Sequence, residues 1–452
     1  MRIILLSGGS GHRLWPLSSD ARAKQFLKVL RGKNGMQESM LQHLLRMLEE
    51  AGLSGRAMIA ANRTQLDFIR QQAGHGIPVI AEPERRDTFP AISLASSYLY
   101  SVQKIDPNET VAILPVDLIV DRDFFDTLKE LDRIISASSD EAEIGLIGIK
   151  PDHPSVNYGY ILPDLDGNKI GSAYKIRKFA EKPDPETAKG LIGQQALWNS
   201  GVFVFRLATM IRLLEARNFP IQYEELRKAY ESLPRVSFDY EVAEKASNLI
   251  AVPYGGTWKD IGNWKSLTEI MDVDILGHGI KCEASHNTHI VNELGIPVAV
   301  VGLSDTIVAV SREGILVADK TASVKIKNLM PAIRDLAAGE HSWGWARVLE
   351  HFRPQDDLEV LIRRVFIRAG RQLDYMQHDL KTGTWNILSG EGEMVSGGLV
   401  RKVHAGDTLK LPGYAIQAIR AVTDLMLIEI QQGSGLTEEN APLADRNQAA
   451  GP

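Results

Sequence analysis

The residues best suited to chemistry stand at the start of the chain. There Ser7-Gly8-Gly9-Ser10-Gly11-His12-Arg13-Leu14 follows the apolar run Ile3 to Leu6 and precedes Lys24-Gln25-Phe26. Glycines after a strand remove the side chains that would hold a polyphosphate away, and their amides can form an anion nest. Arg13 and Lys24 add positive charge at the same end, so the pattern predicts a nucleotide phosphate site. It is not a Walker loop, because Gly-Lys-Ser/Thr is missing, and Gly8-Gly9-x-Gly11 lacks the dinucleotide spacing. The glycines alone would fit a tight strand exit about as well; the two cations shift the balance.

Two carboxylates form a second constellation. Leu114-Pro115-Val116-Asp117 presents one just past an apolar run, and Trp258-Lys259-Asp260-Ile261-Gly262 presents another far along the chain. Such a pair could share magnesium, which takes hard oxygen ligands and commonly binds one or two carboxylates plus substrate phosphates. An isolated Asp after a strand is more often a turn former or helix cap. Glu181-Lys182 before Pro183, taken alone, is an ordinary solvated turn.

The elements that must position these groups are legible as short apolar runs: Ile3 to Leu6, Ala57 to Ala60, Val79 to Ala81, Val111 to Leu114 and Ile144 to Ile149. Helix-like segments lie between them, the clearest being the core stripe Met40, Leu41, Leu44, Leu45 and Leu48. Alternating units of this kind imply an α/β fold whose sheet is mainly parallel, with ligands at the carboxyl ends of its strands. Beyond about residue 280, β-branched runs such as Thr306 to Val310 and Gly314 to Ala318 predict a small β domain. From Leu358 to Gln431, strands punctuated by glycine turns predict a sandwich or jelly roll. The domains read as 1–270, 271–335 and 345–435, with a polar, flexible tail over 436–452.

A chain of 452 residues is too long for one compact core. Its net charge of -6 carries no basic run of the kind that marks nucleic-acid binding, so an anionic ligand must be held locally. The single cysteine, Cys282, excludes an internal disulfide framework and fits a reducing compartment. Met1 and Arg2 lead directly into a strand, and no apolar run approaches the roughly 20 residues of a membrane span. The expectation is a cytoplasmic protein with neither membrane nor nucleic-acid partners.

The full pattern from Leu6 to Lys24 resembles the signature of sugar nucleotidylyltransferases. Trp15-Pro16-Leu17-Ser18 with Lys24-Gln25-Phe26-Leu27 looks like the mannose-1-phosphate guanylyltransferase branch. The resemblance implies a Rossmann-like nucleotidyltransferase domain with mixed, mainly parallel strands. Its nucleotide would lie on Leu6, Gly8, Gly9, Ser10 and Gly11, enclosed by Glu82-Pro83 and by Arg85-Arg86-Asp87-Thr88. Arg13, Lys24 and Asp117 would be catalytic, and Asp117 and Asp260 fall on the two metal-ligating motifs, for Mg2+. Phe179-Ala180-Glu181-Lys182-Pro183-Asp184 matches the strongest internal signature. Glu181 would accept sugar hydroxyls and Lys182 would counter phosphate charge. Asn199 and Gly201 in Trp198 to Phe203, and Gly159 in Tyr158-Gly159-Tyr160-Ile161, would face the sugar phosphate. Asp239-Tyr240 and Glu244-Lys245 complete the set as scaffold.

Four positions depart from the pattern: Ala23 replaces proline, Arg85 glycine, Asp87 asparagine and Leu118 histidine. Ala23 would make the loop less rigid. The added charge of Asp87 requires neutralisation by Arg85 or Arg86, or different base contacts. The implied reaction transfers GMP from GTP to mannose 1-phosphate, giving GDP-mannose and pyrophosphate, by positioning and electrostatics without a protein nucleophile.

Longer members of this family carry mannose-6-phosphate isomerase in a carboxyl-terminal cupin. Here the cupin outline persists, but only His378 stands on a metal-ligand position; the others are Leu380, Gly383 and Gln417. Leu and Gly cannot donate to a metal, and a zinc site normally needs three protein ligands, so no isomerase activity is expected. The section could cover the first domain, mediate contacts in a homo-oligomer or bind an effector. Two alternatives to the main reading stay open: another nucleoside triphosphate and hexose 1-phosphate pair, or a non-catalytic sugar-nucleotide sensor.

Overall fold

The computed structural model describes all residues except 10, 20–21, 34, 139–141, 168, 338–339, 342, 356–357, 376–381, 397–398, 412–416, 434–435 and 437–452. The chain forms two compact units, Met1–Lys327 and Asn328–Pro452. In the first, the apolar runs become β1 (Arg2–Ser7), β2 (Ala57–Asn62), β3 (Val79–Glu82), β4 (Thr110–Pro115) and β5 (Ile144–Ile149). Four more strands, β6 (Tyr160–Pro163), β7 (Tyr174–Ala180), β8 (Leu197–Arg206) and β9 (Leu249–Tyr254), complete one sheet. Its order is β3-β2-β1-β4-β8-β5-β9-β7-β6.

The half carrying the nucleotide motifs is parallel, from β3 to β4. Strand β8 departs from the parallel expectation by running antiparallel between β4 and β5. That reversal matters for the site. It brings the start of β8, with Asn199 and Gly201, to the end of the sheet where β1 and β4 finish. Gly201, at φ +75°, lies in an irregularity between Asn199 and Phe203, where an extra bend re-aims the strand.

Helices cover both faces because the central strands are apolar on both sides. Helix Met40–Glu50 starts at a Ser39/Gln42 capping box, which satisfies two otherwise orphan amides, and buries Met40, Leu41, Leu44 and Leu48; Leu45 is only half-buried. It shares one core with helix Arg122–Ala137. The opposite core is built on helices Thr88–Ser101 and Leu207–Ala216.

After the sheet, the chain winds into short parallel ladders. Ile275–Leu276, His289–Asn292 and Thr306–Ser311 pair in parallel, with Gly314–Asp319 antiparallel at the edge. Ile290, Val300, Val308 and Val310 make a small core there. This section braces the glycine loop from outside the main sheet. Ser311 Oγ donates to the Pro16 carbonyl at 2.7 Å, and Arg22 reaches Glu293 at 2.8 Å. Gly314, at φ +147°, lies so close to Trp15 that a Cβ would stand 2.5 Å from the indole ring.

The second unit contains two antiparallel sheets, one of six strands and one of four, in a cupin-like arrangement. Trp385, Ile387, Leu373, Val403, Leu425 and Leu427 belong to their shared core. A buried Arg363–Glu429 ion pair at 2.7 Å joins two neighbouring strands of the six-stranded sheet, with Trp385 Nε1 donating to Glu429 at 3.1 Å. His378 and Leu380 lie outside the described residues, as does the tail apart from Leu436, which is buried.

Gly314→Val would force a branched side chain against Trp15 at a left-handed backbone angle. A stability loss of about 1–3 kcal/mol is expected, read as a lowered midpoint in urea unfolding. An unchanged midpoint would show that the close approach to Trp15 does not require glycine.

Candidate active site

The glycine loop after β1 owes its shape to two glycines at positive φ, Gly9 at +87° and Gly11 at +63°. Gly11 permits a close approach: a Cβ there would lie 2.8 Å from the backbone nitrogen of Lys24. Side chains at Gly8 or Gly9 would instead project into open space. Gln25 clamps the loop from behind, donating to Ser7 Oγ at 3.0 Å, while Ser7 donates to Gln65 at 3.1 Å. Ala23 adopts φ −71°, a value proline also takes, so the backbone follows the same course without the ring.

Lys24 occupies the centre. Its Nζ contacts Asp117 at 2.5 Å, lies 3.8 Å from Asp260, and donates to the Ile261 carbonyl at 2.6 Å. Burial works against its charge, but the two carboxylates together outweigh burial and hold the ammonium above its ordinary pKa. Burial pushes the Asp260 carboxyl up, with Lys24 opposing and Asp117 reinforcing the shift. A two-stranded ribbon creates this meeting: Leu118–Val120 pairs antiparallel with Trp258–Asp260, with Asp260 opposite Leu118. Asp117 directly precedes that ribbon. Leu118, where the family resemblance implies histidine, is buried at its base.

These residues line a cleft of about 680 Å3 at the carboxyl ends of the parallel strands. Leu6, Gly8, Gly9, Gly11 and Arg13 form its loop side, and Glu82, Arg86 and Thr88 its far side. Lys24, Asp117, Asp260 and Gly201 complete the predicted set along its wall. Ser10 lies outside the described residues. Arg86 pairs with Glu84 and donates to the Leu233 carbonyl at 3.0 Å. Asp87 accepts from the Thr88 amide at 2.8 Å, so its carboxylate helps start helix Thr88–Ser101. Thr88 Oγ1 in turn accepts from the Phe238 amide at 2.8 Å.

Gly159, Glu181, Lys182 and Asn199 are not on the wall of this cleft. They form an adjoining cluster. Asn199 Nδ2 donates to Asp239 at 2.6 Å, and Asp239 lines the cleft. Glu181 contacts Lys182 at 2.5 Å, and its other carboxylate oxygen is buried without a hydrogen-bond partner. A Cβ on Gly159 would stand 2.3 Å from that oxygen. The arrangement is a polar acceptor beside a glycine opening, suited to a hydroxyl. Burial raises the Glu181 and Asp239 carboxyls above their usual range.

Asp239, expected as scaffold, thus holds Asn199 and also borders the cleft. Tyr230, which sequence reading missed, donates to buried Glu82 at 2.8 Å. Burial raises the Glu82 pKa to about 7 despite the opposing effects of this hydrogen bond and Arg85. No motif marks Tyr230, because it meets Glu82 only through folding, across a sequence separation of 148.

Asp117 and Asp260 are the groups able to hold a metal. Among the described residues no cluster of three or more His, Cys, Asp or Glu ligands occurs. Two hard carboxylates fit magnesium, which can complete its shell with phosphate oxygens and water.

A glycine loop after a strand, a lysine joined to two strand-end carboxylates and an adjoining polar cluster stand together on an α/β sheet, the arrangement of a candidate nucleotidyltransferase site. The nucleotidyl transferase family matches residues 2–275, and the chain belongs to it. It is 28% identical over 476 residues to the xanthan biosynthesis protein XanB of Xanthomonas campestris pv. campestris (strain B100), covering 97% of this chain and 96% of that protein. The mannose-1-phosphate guanylyltransferase of Salmonella muenchen is 27% identical over 477 residues, covering 97% of this chain and 96% of that protein. The crystal structure named mannose-1-phosphate geranyltransferase, from Thermus thermophilus, matches with TM-score 0.62 and 28% identity, covering 74% of this chain and 99% of that one. Among the described residues no helix is long and apolar enough to cross a membrane.

The raised Glu82 pKa has a defined consequence. The folded state binds its proton more tightly than the unfolded state does, so the associated stability is present below the ordinary value of 4.5 and is lost as pH rises through about 7. Relative to Glu82→Gln, wild type should lose up to about 3 kcal/mol between about pH 4 and about pH 8. Urea unfolding of both proteins across that range checks this; parallel stability curves would overturn it.

Proposed function

We propose that the protein transfers GMP from GTP to mannose 1-phosphate, forming GDP-mannose and releasing pyrophosphate. The observation that carries this reading is Lys24 bridging Asp117 and Asp260 beside the glycine loop. Names carried by relatives along nearly the whole chain support the choice of substrates.

In the proposed reaction, a phosphate oxygen of mannose 1-phosphate attacks the α-phosphorus of GTP. The new O–P bond forms as the bond to the β-phosphate bridge breaks, and pyrophosphate carries away the electron pair. No protein nucleophile is required. The glycine loop admits the phosphates closely, while Arg13 and Lys24 offset charge on the reacting phosphates and leaving group. Asp117 and Asp260 would hold Mg2+, which supplies further neutralisation of phosphate charge when bound. Glu181 and Asn199 would orient sugar hydroxyls, with Lys182 on the sugar phosphate.

The proposal includes no mannose-6-phosphate isomerase activity, because Leu380 and Gly383 offer no donor at cupin ligand positions. Fructose 6-phosphate formation by metal-loaded protein would refute that part.

The principal test is pyrophosphate release with magnesium across a matrix of nucleoside triphosphates and hexose 1-phosphates. GTP with mannose 1-phosphate should dominate; preference for ATP, UTP or dTTP would sink the guanylyl assignment. Asp117→Ala and Asp260→Ala should each reduce magnesium-dependent turnover by about 100-fold or more while retaining the wild-type circular dichroism spectrum. Near-normal turnover in both would overturn the metal assignment.

A further inference from the structure

The cleft contains a cation from beyond the matched domain. Lys327 lines the same cavity as Gly8, Arg13 and Asp260, although the family match ends at residue 275. It is the second residue of helix Ile326–Ala337. The preceding turn, Ala322–Lys325, packs against His12–Leu14 of the phosphate loop. Ile326 is buried and anchors the helix start, whereas Lys327 is exposed.

Charge distinguishes Lys327 from an ordinary surface lysine. A nucleoside triphosphate brings several negative charges into a cleft already lined by Glu82, Asp117, Asp239 and Asp260. Two of its cations already have carboxylate partners in the protein, Lys24 with Asp117 and Asp260 and Arg86 with Glu84, so their charge is offset before a triphosphate enters. Arg85 also has an interaction of its own. Among the described residues, Arg13 and Lys327 line the cleft without forming an ion pair or hydrogen bond through their charged ends. A lysine on a flexible stem is well suited to phosphate, because it acts as a point charge without demanding bidentate geometry.

We propose that Lys327 is a phosphate-binding residue for the nucleotide's triphosphate and for the departing pyrophosphate, supplied from outside the nucleotidyl transferase domain. This rests on the cleft being the nucleotide site, and it extends that site to the section that braces the loop. The contact is electrostatic, so it should weaken with ionic strength.

Lys327→Ala, Lys327→Glu and Lys327→Arg in the full chain test the assignment, each checked against the wild-type melting midpoint. Loss of one charge-assisted contact should raise KM for the nucleotide, and for pyrophosphate in the reverse reaction, about tenfold in Lys327→Ala. Lys327→Glu should exceed this, Lys327→Arg should stay within about twofold of wild type, and KM for the hexose 1-phosphate should not move. The Ala defect should shrink as potassium chloride is raised. Unchanged nucleotide KM, an equal defect toward both substrates, or failure of arginine to rescue would each overturn the proposal. Titration with a fluorescent GTP analogue separates this outcome from failure of the functional reading. If wild type binds the analogue without turnover, weaker binding by Lys327→Ala upholds Lys327 and removes the transferase assignment. Equal binding by both proteins overturns Lys327 in either case.

Discussion

The site depends on one constraint: two carboxylates must share a single small region without driving each other apart. Lys24 meets both, with Nζ 2.5 Å from Asp117 and 3.8 Å from Asp260. Its side chain is only 14% exposed, which limits solvent screening. A recessed ammonium is tolerable because its partners are close and the Ile261 carbonyl accepts another of its hydrogens. The same carboxylate pair that stabilises the resting lysine is the pair able to accept a divalent ion. In the proposed reaction, charge on phosphate, lysine and metal would therefore be balanced in one place, where a small movement changes the local field.

Everything around that point serves to hold it. The ribbon of Leu118–Val120 and Trp258–Asp260 sets the aspartates side by side. Gly11 admits the Lys24 turn, Gln25 grips Ser7 at the root of the loop, and Ser311 secures the Pro16 carbonyl from the following β section. On the adjoining side, antiparallel β8 carries Asn199 toward Asp239. These supports come from separate elements, so a substitution distant from the reacting groups can still alter their positions.

Much of the fold was legible because its signals are local. The five apolar runs became strands with ends shifted by a residue or two, and the Met40 stripe became a helix whose Ser39 cap is written in the adjacent sequence. The reversed direction of β8 was less visible, since an apolar strand has the same composition whichever way it runs. Gly8, Gly9 and Gly11 could be read as a tight turn after β1, because the absence of side chains is itself the signal, and only Arg13 and Lys24 beside them pointed to phosphate. Tyr230 on Glu82 and Asp239 on Asn199 could not, because each is an ordinary polar residue until the chain brings its partner within hydrogen-bond distance.

By itself the sequence determined the chemical inventory: a glycine loop with Arg13 and Lys24, aspartates at Asp117 and Asp260, a Glu181-Lys182 pair, and a third section poor in metal ligands. Those are properties of residue type and near-neighbour spacing. Only the tertiary structure decided that Asp117 and Asp260 meet on one lysine, that Glu82 is buried against Tyr230, and that Lys327 borders the same cleft. The physical reason is range. Conformational preferences act over a few residues, whereas electrostatic interaction and desolvation depend on distance and burial in space, which exist only once the sheet, the ribbon and the β section have packed.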